Sequence, residues 1–125
     1  MNTKNFKFDK YQDRIKDELN LFLRQEAGSP LLQFASITKV ELSADYSEAK
    51  VYWDTFDSTK RGDIKKLIQS LRAQMKKTLS KKLSVRKIPN IVLLYDGQYD
   101  SEMEITRLLE EEKAKGRGPQ KDDES

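Results

Sequence analysis

From Ile64 to Leu83 the apolar residues recur in steps of three and four: Ile64, Leu67, Ile68, Leu71, Met75, Leu79 and Leu83. That spacing traces one stripe along roughly twenty residues of helix, and a stripe of this kind has to be covered by something else in the fold. At about 100° per residue, Lys65, Lys66, Arg72, Lys76, Lys77 and Lys81 fall on the opposite arc. Lys82 falls on the apolar side, which places a bend or an end of the helix nearby. The same segment is charged almost entirely with one sign. Between Lys60 and Lys87 eleven cations (Lys60, Arg61, Lys65, Lys66, Arg72, Lys76, Lys77, Lys81, Lys82, Arg86 and Lys87) face a single acid, Asp63. These 28 residues carry +10 in a chain of +3, which leaves −7 for the other 97. A basic face on an otherwise acidic domain is the electrostatic footprint of a protein that docks on a polyanion.

Composition narrows the chemistry. There is no cysteine and no histidine. The first absence excludes disulfides and thiolate metal sites, and the second removes the usual general base and the commonest transition-metal ligand. At 125 residues, 36% hydrophobic and 36% charged, the chain suits one small domain with a thin core. No run approaches the roughly 20 apolar residues of a membrane span, and residues 1–10 have no apolar core of a signal peptide. The expectation is a cytoplasmic, monomeric binding module with no catalysis, no cofactor and no small-molecule substrate.

The remaining elements follow from local patterns. Residues 1–8 read as a loose leader. Asp9 caps a helix running to about Glu26, with Tyr11, Ile15, Leu19, Phe22 and Leu23 at helical spacing. Gly28 and Pro30 stop it. Thr38, Val40 and Leu42 alternate against Lys39 and Glu41, then Ala49, Val51 and Trp53 against Lys50, Tyr52 and Asp54. The polar break Ser43–Ser47 makes these two strands an antiparallel hairpin. Ser58 or Thr59 caps the basic helical segment. Ile91–Tyr95, after Pro89, is a continuous apolar run, as in a strand covered on both faces. Asp96-Gly97 turns the chain into a last helix over about 101–112, with Met103, Ile105, Leu108 and Leu109 apolar. Residues 113–125 have nothing to bury and read as a disordered charged tail. The basic segment then crosses over to a third strand, which a single sheet makes parallel to its neighbour. The fold class is α+β, with a three-stranded mixed sheet and helices on one face.

This order, α-β-β-α-α-β with an added C-terminal helix, resembles a type II KH domain. The local sequences are more specific. Ser29-Pro30-Leu31-Leu32, Ile37 to Tyr46, and Ala49-Lys50-Val51-Tyr52 look like the first half of the ribosome-binding factor A family. Leu83 to Ile91 and Tyr95-Asp96 look like the second half. The resemblance covers roughly residues 10–112, within a KH-like RNA-binding domain of residues 9–112. It implies a bacterial assembly factor that binds the small (30S) ribosomal subunit or its precursor through 16S rRNA. It further implies help with late maturation and rRNA processing, and with growth in the cold. One position departs. KH domains carry Gly-x-x-Gly between the crossover helices and this family carries Ala-x-Gly with a kink. Here the corresponding triplet is Leu71-Arg72-Ala73. Without the glycine that lets a backbone bend and approach phosphate, the helix either runs straighter or is bent by packing. Arg72 can substitute a side-chain contact.

Each signal has a plainer reading. A basic arc is usually a solvated helix face. Here the i,i+4 Glu–Lys pairs that stabilise such faces are missing, while Arg72 with Lys76 and Lys77 with Lys81 repel. The expected RNA-binding residues are therefore Lys65, Lys66, Arg72, Lys76, Lys77 and Lys81, with Arg86 and Lys87 at the margin. The last two can equally be cations near a helix C-terminus. Trp53 shares parity with core residues, and Tyr52 on the other face is a weak base-stacking candidate. Asp45, and Asp96 with Asp100, are turn acids before they are functional ones. Asp122 to Glu124 can compete with RNA for the basic face, or simply solubilise the tail. Two rival functions remain: a module whose basic helix binds an acidic protein, and a ribonuclease. The second needs a carboxylate metal site, for which the basic segment offers only Asp63.

Overall fold

Among the described residues, every helix but one turns its apolar face toward a single three-stranded sheet. The computed structural model describes the backbone of residues 3–115 and the side chains of residues 7–97 and 104–113. The order is α1 (Thr3–Leu21), β1 (Ala35–Leu42), β2 (Glu48–Thr55), α2 (Arg61–Ser70), α3 (Arg72–Lys82), β3 (Asn90–Tyr95) and α4 (Gln98–Lys115).

Helix α1 begins at Thr3, ahead of the cap expected at Asp9, so residues 3–8 form its first turns. Tertiary contact explains the extension. Phe8 and Tyr11, three apart and so on one face, both pack on Tyr46 of the β1–β2 turn, edge-on at 5.3 Å and stacked at 5.6 Å. The helix ends in a widened turn, Phe22–Glu26, where the Ala27 N–H donates to the Phe22 carbonyl at 3.0 Å. Gly28 then takes the left-handed conformation (φ 75°) that stops the helix. Arg24 secures the exit by donating to the carbonyls of Leu32 and Ala35.

Strands β1 and β2 pair antiparallel, with Val40 opposite Val51 and Leu42 opposite Ala49. A bulge between Ile37 and Lys39 changes the parity expected from the alternation. Ile37, not Thr38, takes the core position opposite Trp53, and Thr38 donates its hydroxyl to Asp96 at 2.5 Å. The Asn20 side chain completes the distorted ladder: its amide donates to the Ile37 carbonyl and its oxygen accepts from the Ile37 N–H.

Strand β3 lies parallel to β2 on the far edge, giving the order β1-β2-β3. Ile91 and Leu93 are buried, whereas Val92 and Leu94 are only half-buried. The run is thus an edge strand packed on one face, not a strand covered on both. The helices share that face. Ile15, Leu19 and Leu23 of the first helical segment, Ile64 and Ile68 of α2, and Met75 and Leu79 of α3 are all buried with Val51 and Trp53. The opposite face carries Lys39, Glu41, Lys50 and Tyr52.

The exception is α4. Every described side chain from Glu104 to Lys113 is exposed, Ile105, Leu108 and Leu109 among them. The tail proposed for residues 113–125 is helical through Lys115, and the rest of it, Asp122 to Glu124 included, lies outside the described residues.

Candidate nucleic-acid interface

The basic segment is built as two helices. Asp57, not Ser58 or Thr59, caps the short turn that leads in: its carboxylate accepts from the Thr59 N–H at 3.1 Å and from the Thr59 hydroxyl. Those bonds hold the Asp57 carboxyl below its usual pKa. Helix α2 then runs to Ser70 and α3 starts at Arg72. Between them Leu71 sits at φ −93°, ψ 0°, a bridge-region conformation open to residues with a side chain. Its N–H is shared between the carbonyls of Leu67 (3.1 Å) and Ile68 (3.0 Å), and its own carbonyl accepts from Met75. The chain therefore bends without glycine. The reason is packing: Leu71 is buried, as are Ile64 and Ile68 before it and Met75 and Leu79 after it. Two short helices bring both halves of the stripe onto the sheet.

The bend places Arg72 and Ala73 on the first exposed turn of α3. A cleft of about 360 Å³ opens there, lined by Arg72, Ala73, Lys76, Asn90 and Ile91. A second, of about 440 Å³, is lined by Ala73, Lys76, Lys77, Ser80, Arg86, Lys87 and Ile88. Ala73 and Lys76 line both, so the two clefts lie side by side as a groove along α3. Lys76 Nζ donates to Asn90 Oδ1 at 3.0 Å, and the Asn90 N–H is tied to the Ser47 carbonyl at 2.9 Å. The groove is thus bounded by a helix and by the chain entering β3.

Five of the eight expected cations come together here: Arg72, Lys76, Lys77, Arg86 and Lys87. Lys65 and Lys66 are exposed on α2, beyond the Leu71 bend, and Lys81 is exposed further along α3; none of these three lines the groove. Arg86 and Lys87 lie past the last turn of α3, which ends at Lys82. Arg14 serves the helix end instead, donating to the Lys82 carbonyl at 3.0 Å. Asn90 and Ser80 escaped sequence reasoning. The one signal for Asn90 was a polar residue between Pro89 and an apolar strand, and Ser80, inside α3, had none.

The plainer alternatives resolve by geometry. Trp53 is buried and packs on Tyr95 at 4.8 Å. Tyr52 donates its hydroxyl to Glu41 at 2.9 Å, and the Lys39 ammonium lies over its ring. Those partners hold Glu41 below, and Lys39 and Tyr52 above, their ordinary pKa values. Asp45 is a turn acid. Its Oδ1 accepts from the Ser47 hydroxyl, the Ser47 N–H and the Ser43 hydroxyl, which lowers its pKa to about 2. Asp96 accepts from Thr38 beside Gly97, which turns at φ 68°; the Asp100 side chain lies outside the described ones. Among the described residues no group of three or more acids is placed to hold a metal ion, and no helix is long and apolar enough to cross a membrane.

The family model of ribosome-binding factor A matches residues 7–109, most of the chain. The chain belongs to the ribosome-binding factor A family. A relative from Heliobacterium modesticaldum, named ribosome-binding factor A, is 38% identical over 100 residues, 79% of this chain and 83% of the relative. One from Malacoplasma penetrans with the same name is 36% identical over 111 residues, 89% and 96% of the two chains. Solved structures agree on the fold. A crystal structure of ribosome-binding factor A from Thermus thermophilus superposes with a TM-score of 0.60 at 21% identity, covering 70% of this chain and 92% of that one. The solution structure of a Thermotoga maritima protein described as a putative ribosome-binding factor A gives 0.59 at 20% identity, covering 68% and 82%. The break between α2 and α3, with Leu71 buried in it, lies within the matched residues.

Proposed function

We propose that this protein is a ribosome assembly factor that binds the small ribosomal subunit or its precursor by seating 16S rRNA on α3. The observation that carries this reading is the convergence of Arg72, Lys76, Lys77, Arg86 and Lys87, from two stretches of chain, on one solvent-open groove. An open groove with cationic walls suits a phosphate backbone, whereas small-molecule sites enclose most of their ligand. The side chain of Ala73, one methyl group, leaves room for that backbone to approach the helix. Phosphate contacts position a protein without reading sequence. Specificity then comes from the shape of the RNA and from neighbouring ribosomal surfaces. Lys65, Lys66 and Lys81 extend the field on either side. The protein acts by binding, as a cytoplasmic monomer without a cofactor. Its family membership supports a role in late maturation and rRNA processing, including growth in the cold.

The test is sedimentation with purified small subunits at two salt concentrations, beside a variant with Arg72→Glu, Lys76→Glu and Lys77→Glu. The wild type co-sediments and the variant does not. With about five phosphates neutralised, log K falls with log salt at a slope of roughly −3.5 to −4.5. A slope near zero sinks the electrostatic mechanism. Absence of co-sedimentation at low salt points to an acidic protein as the partner of this face.

A further inference from the structure

Helix α4 carries a surface that the RNA-binding reading does not use. Ile105, Leu108 and Leu109 are 57%, 50% and 63% exposed. Their spacing of three and four puts them on one stripe of the helix. No described residue covers that stripe, although the apolar residues of α2 and α3 at the same spacing are packed on the sheet. Most of the stability of a helix in a protein comes from packing its amphipathic face, so an uncovered stripe calls for a partner.

The charge beside the stripe narrows what that partner is. Between Glu104 and Lys113 there are four glutamates, Glu104, Glu110, Glu111 and Glu112, against Arg107 and Lys113, a net of −2. Arg107 is already engaged within the helix, bridging Glu104 and Glu111, its Nη1 lying 2.8 Å from Glu111. Those pairs hold Arg107 above and Glu104 below their ordinary pKa values. Glu112 is seven residues beyond Ile105 and sits in line with the stripe itself. A phosphate backbone is repelled by this surface and gains nothing from isoleucine and leucine. A second copy of the chain offers its basic α3 face, but the apolar residues of α3 are buried and leave the stripe uncovered.

We infer that α4 docks on a protein surface with an apolar cleft and a basic rim, a ribosomal protein of the small subunit next to the RNA bound by α3. This inference rests on the proposed ribosomal reading and extends it: one end of the molecule binds RNA through cations, and the other binds a basic protein through an apolar stripe with acidic flanks.

The experiment compares the wild-type chain with Leu108→Glu/Leu109→Glu on two probes: purified small subunits, and the same rRNA stripped of protein. Both positions are exposed and glutamate is a good helix former, so the variant folds. Subunit affinity is expected to fall about tenfold or more while affinity for naked RNA stays unchanged, since removing the stripe costs apolar burial only on the protein. A second variant, Glu110→Lys/Glu111→Lys/Glu112→Lys, reads the sign of the partner. Weaker subunit binding is expected; stronger binding means that α4 faces phosphate and overturns the inference. A photocrosslinker at Leu108 is expected to capture a basic ribosomal protein within the purified subunit, and capture of rRNA or of a second copy overturns it. If wild type and variants bind subunits equally well, α4 docks nowhere and the inference alone fails. If the wild type binds neither probe at low salt, the ribosomal reading fails and takes this inference with it.

Discussion

Helices α2 and α3 and helix α4 are written in the same alphabet, with apolar residues every three or four positions and charge between them. Their surroundings differ. In α2 and α3 the stripe is buried on the sheet, and what the molecule shows to solvent is cationic. In α4 the stripe is exposed and the charge around it is acidic and tied up with Arg107. Amphipathic spacing thus states that a face needs covering, and only the fold shows whether the chain covers it or leaves it for a partner. The sign of the remaining charge then separates the partners proposed for them: phosphate for α3, a basic protein for α4.

Truncating one apolar residue in each region gives the largest expected contrast. Met75 is fully buried, so Met75→Ala is expected to cost about 2–5 kcal/mol of folding stability. Leu109→Ala, at an exposed site, is expected to stay within about 0.5 kcal/mol. Urea denaturation with both midpoint and slope measured checks this. A large destabilisation by Leu109→Ala would mean that the domain itself covers α4 in solution, which breaks the comparison.

A smaller effect comes from the groove. Ala73 is exposed, so Ala73→Leu leaves stability nearly unchanged, but it adds a branched side chain at a position that lines both clefts. Affinity for naked rRNA is expected to fall about tenfold, or about 1.4 kcal/mol, with the salt slope reduced by roughly 0.7–0.9 for each phosphate that is no longer neutralised. Unchanged RNA affinity in a titration would move the site away from α3.

Acid gives the smallest contrast. The Glu104 carboxyl is held below its ordinary 4.5 by Arg107. A depressed folded-state value means that this support for α4 is fully present above about 4.5 and is lost as pH falls through the lower folded value. Between Lys60 and Lys87 only Asp63 can protonate. Backbone carbon shifts of residues 104–111 are therefore expected to move toward coil values as pH falls below about 4.5, while those of 72–82 hold. In Arg107→Ala the Glu104 titration moves up toward its ordinary value. Identical titration with and without Arg107 would remove the ion pair from the account.

Legibility followed the range of the interactions. The hairpin, the stripe from Ile64 to Leu83 and the left-handed Gly28 rest on periodicity and on backbone freedom within a few residues, and all are where local pattern puts them. The early start of α1 depends on Tyr46, far along the chain. The shift of Ile37 into the core depends on a bulge completed by Asn20. The half-covered β3 depends on α1, α2 and α3 sharing one face. Of the eight basic candidates, chain order alone could not tell Arg86 and Lys87, which reach the groove, from Lys65, Lys66 and Lys81, which do not.

By itself the sequence determined the element order, the α+β class, the sign of the exposed helical charge and the lack of thiol and imidazole chemistry, because each of these depends on residue type and short-range spacing. Tertiary structure alone decided the bend at Leu71, where burying a leucine from both sides does what a glycine would otherwise permit. It also decided that Lys76 and Asn90 meet across a groove and that α4 stands uncovered, because whether two surfaces touch depends on where the sheet holds them.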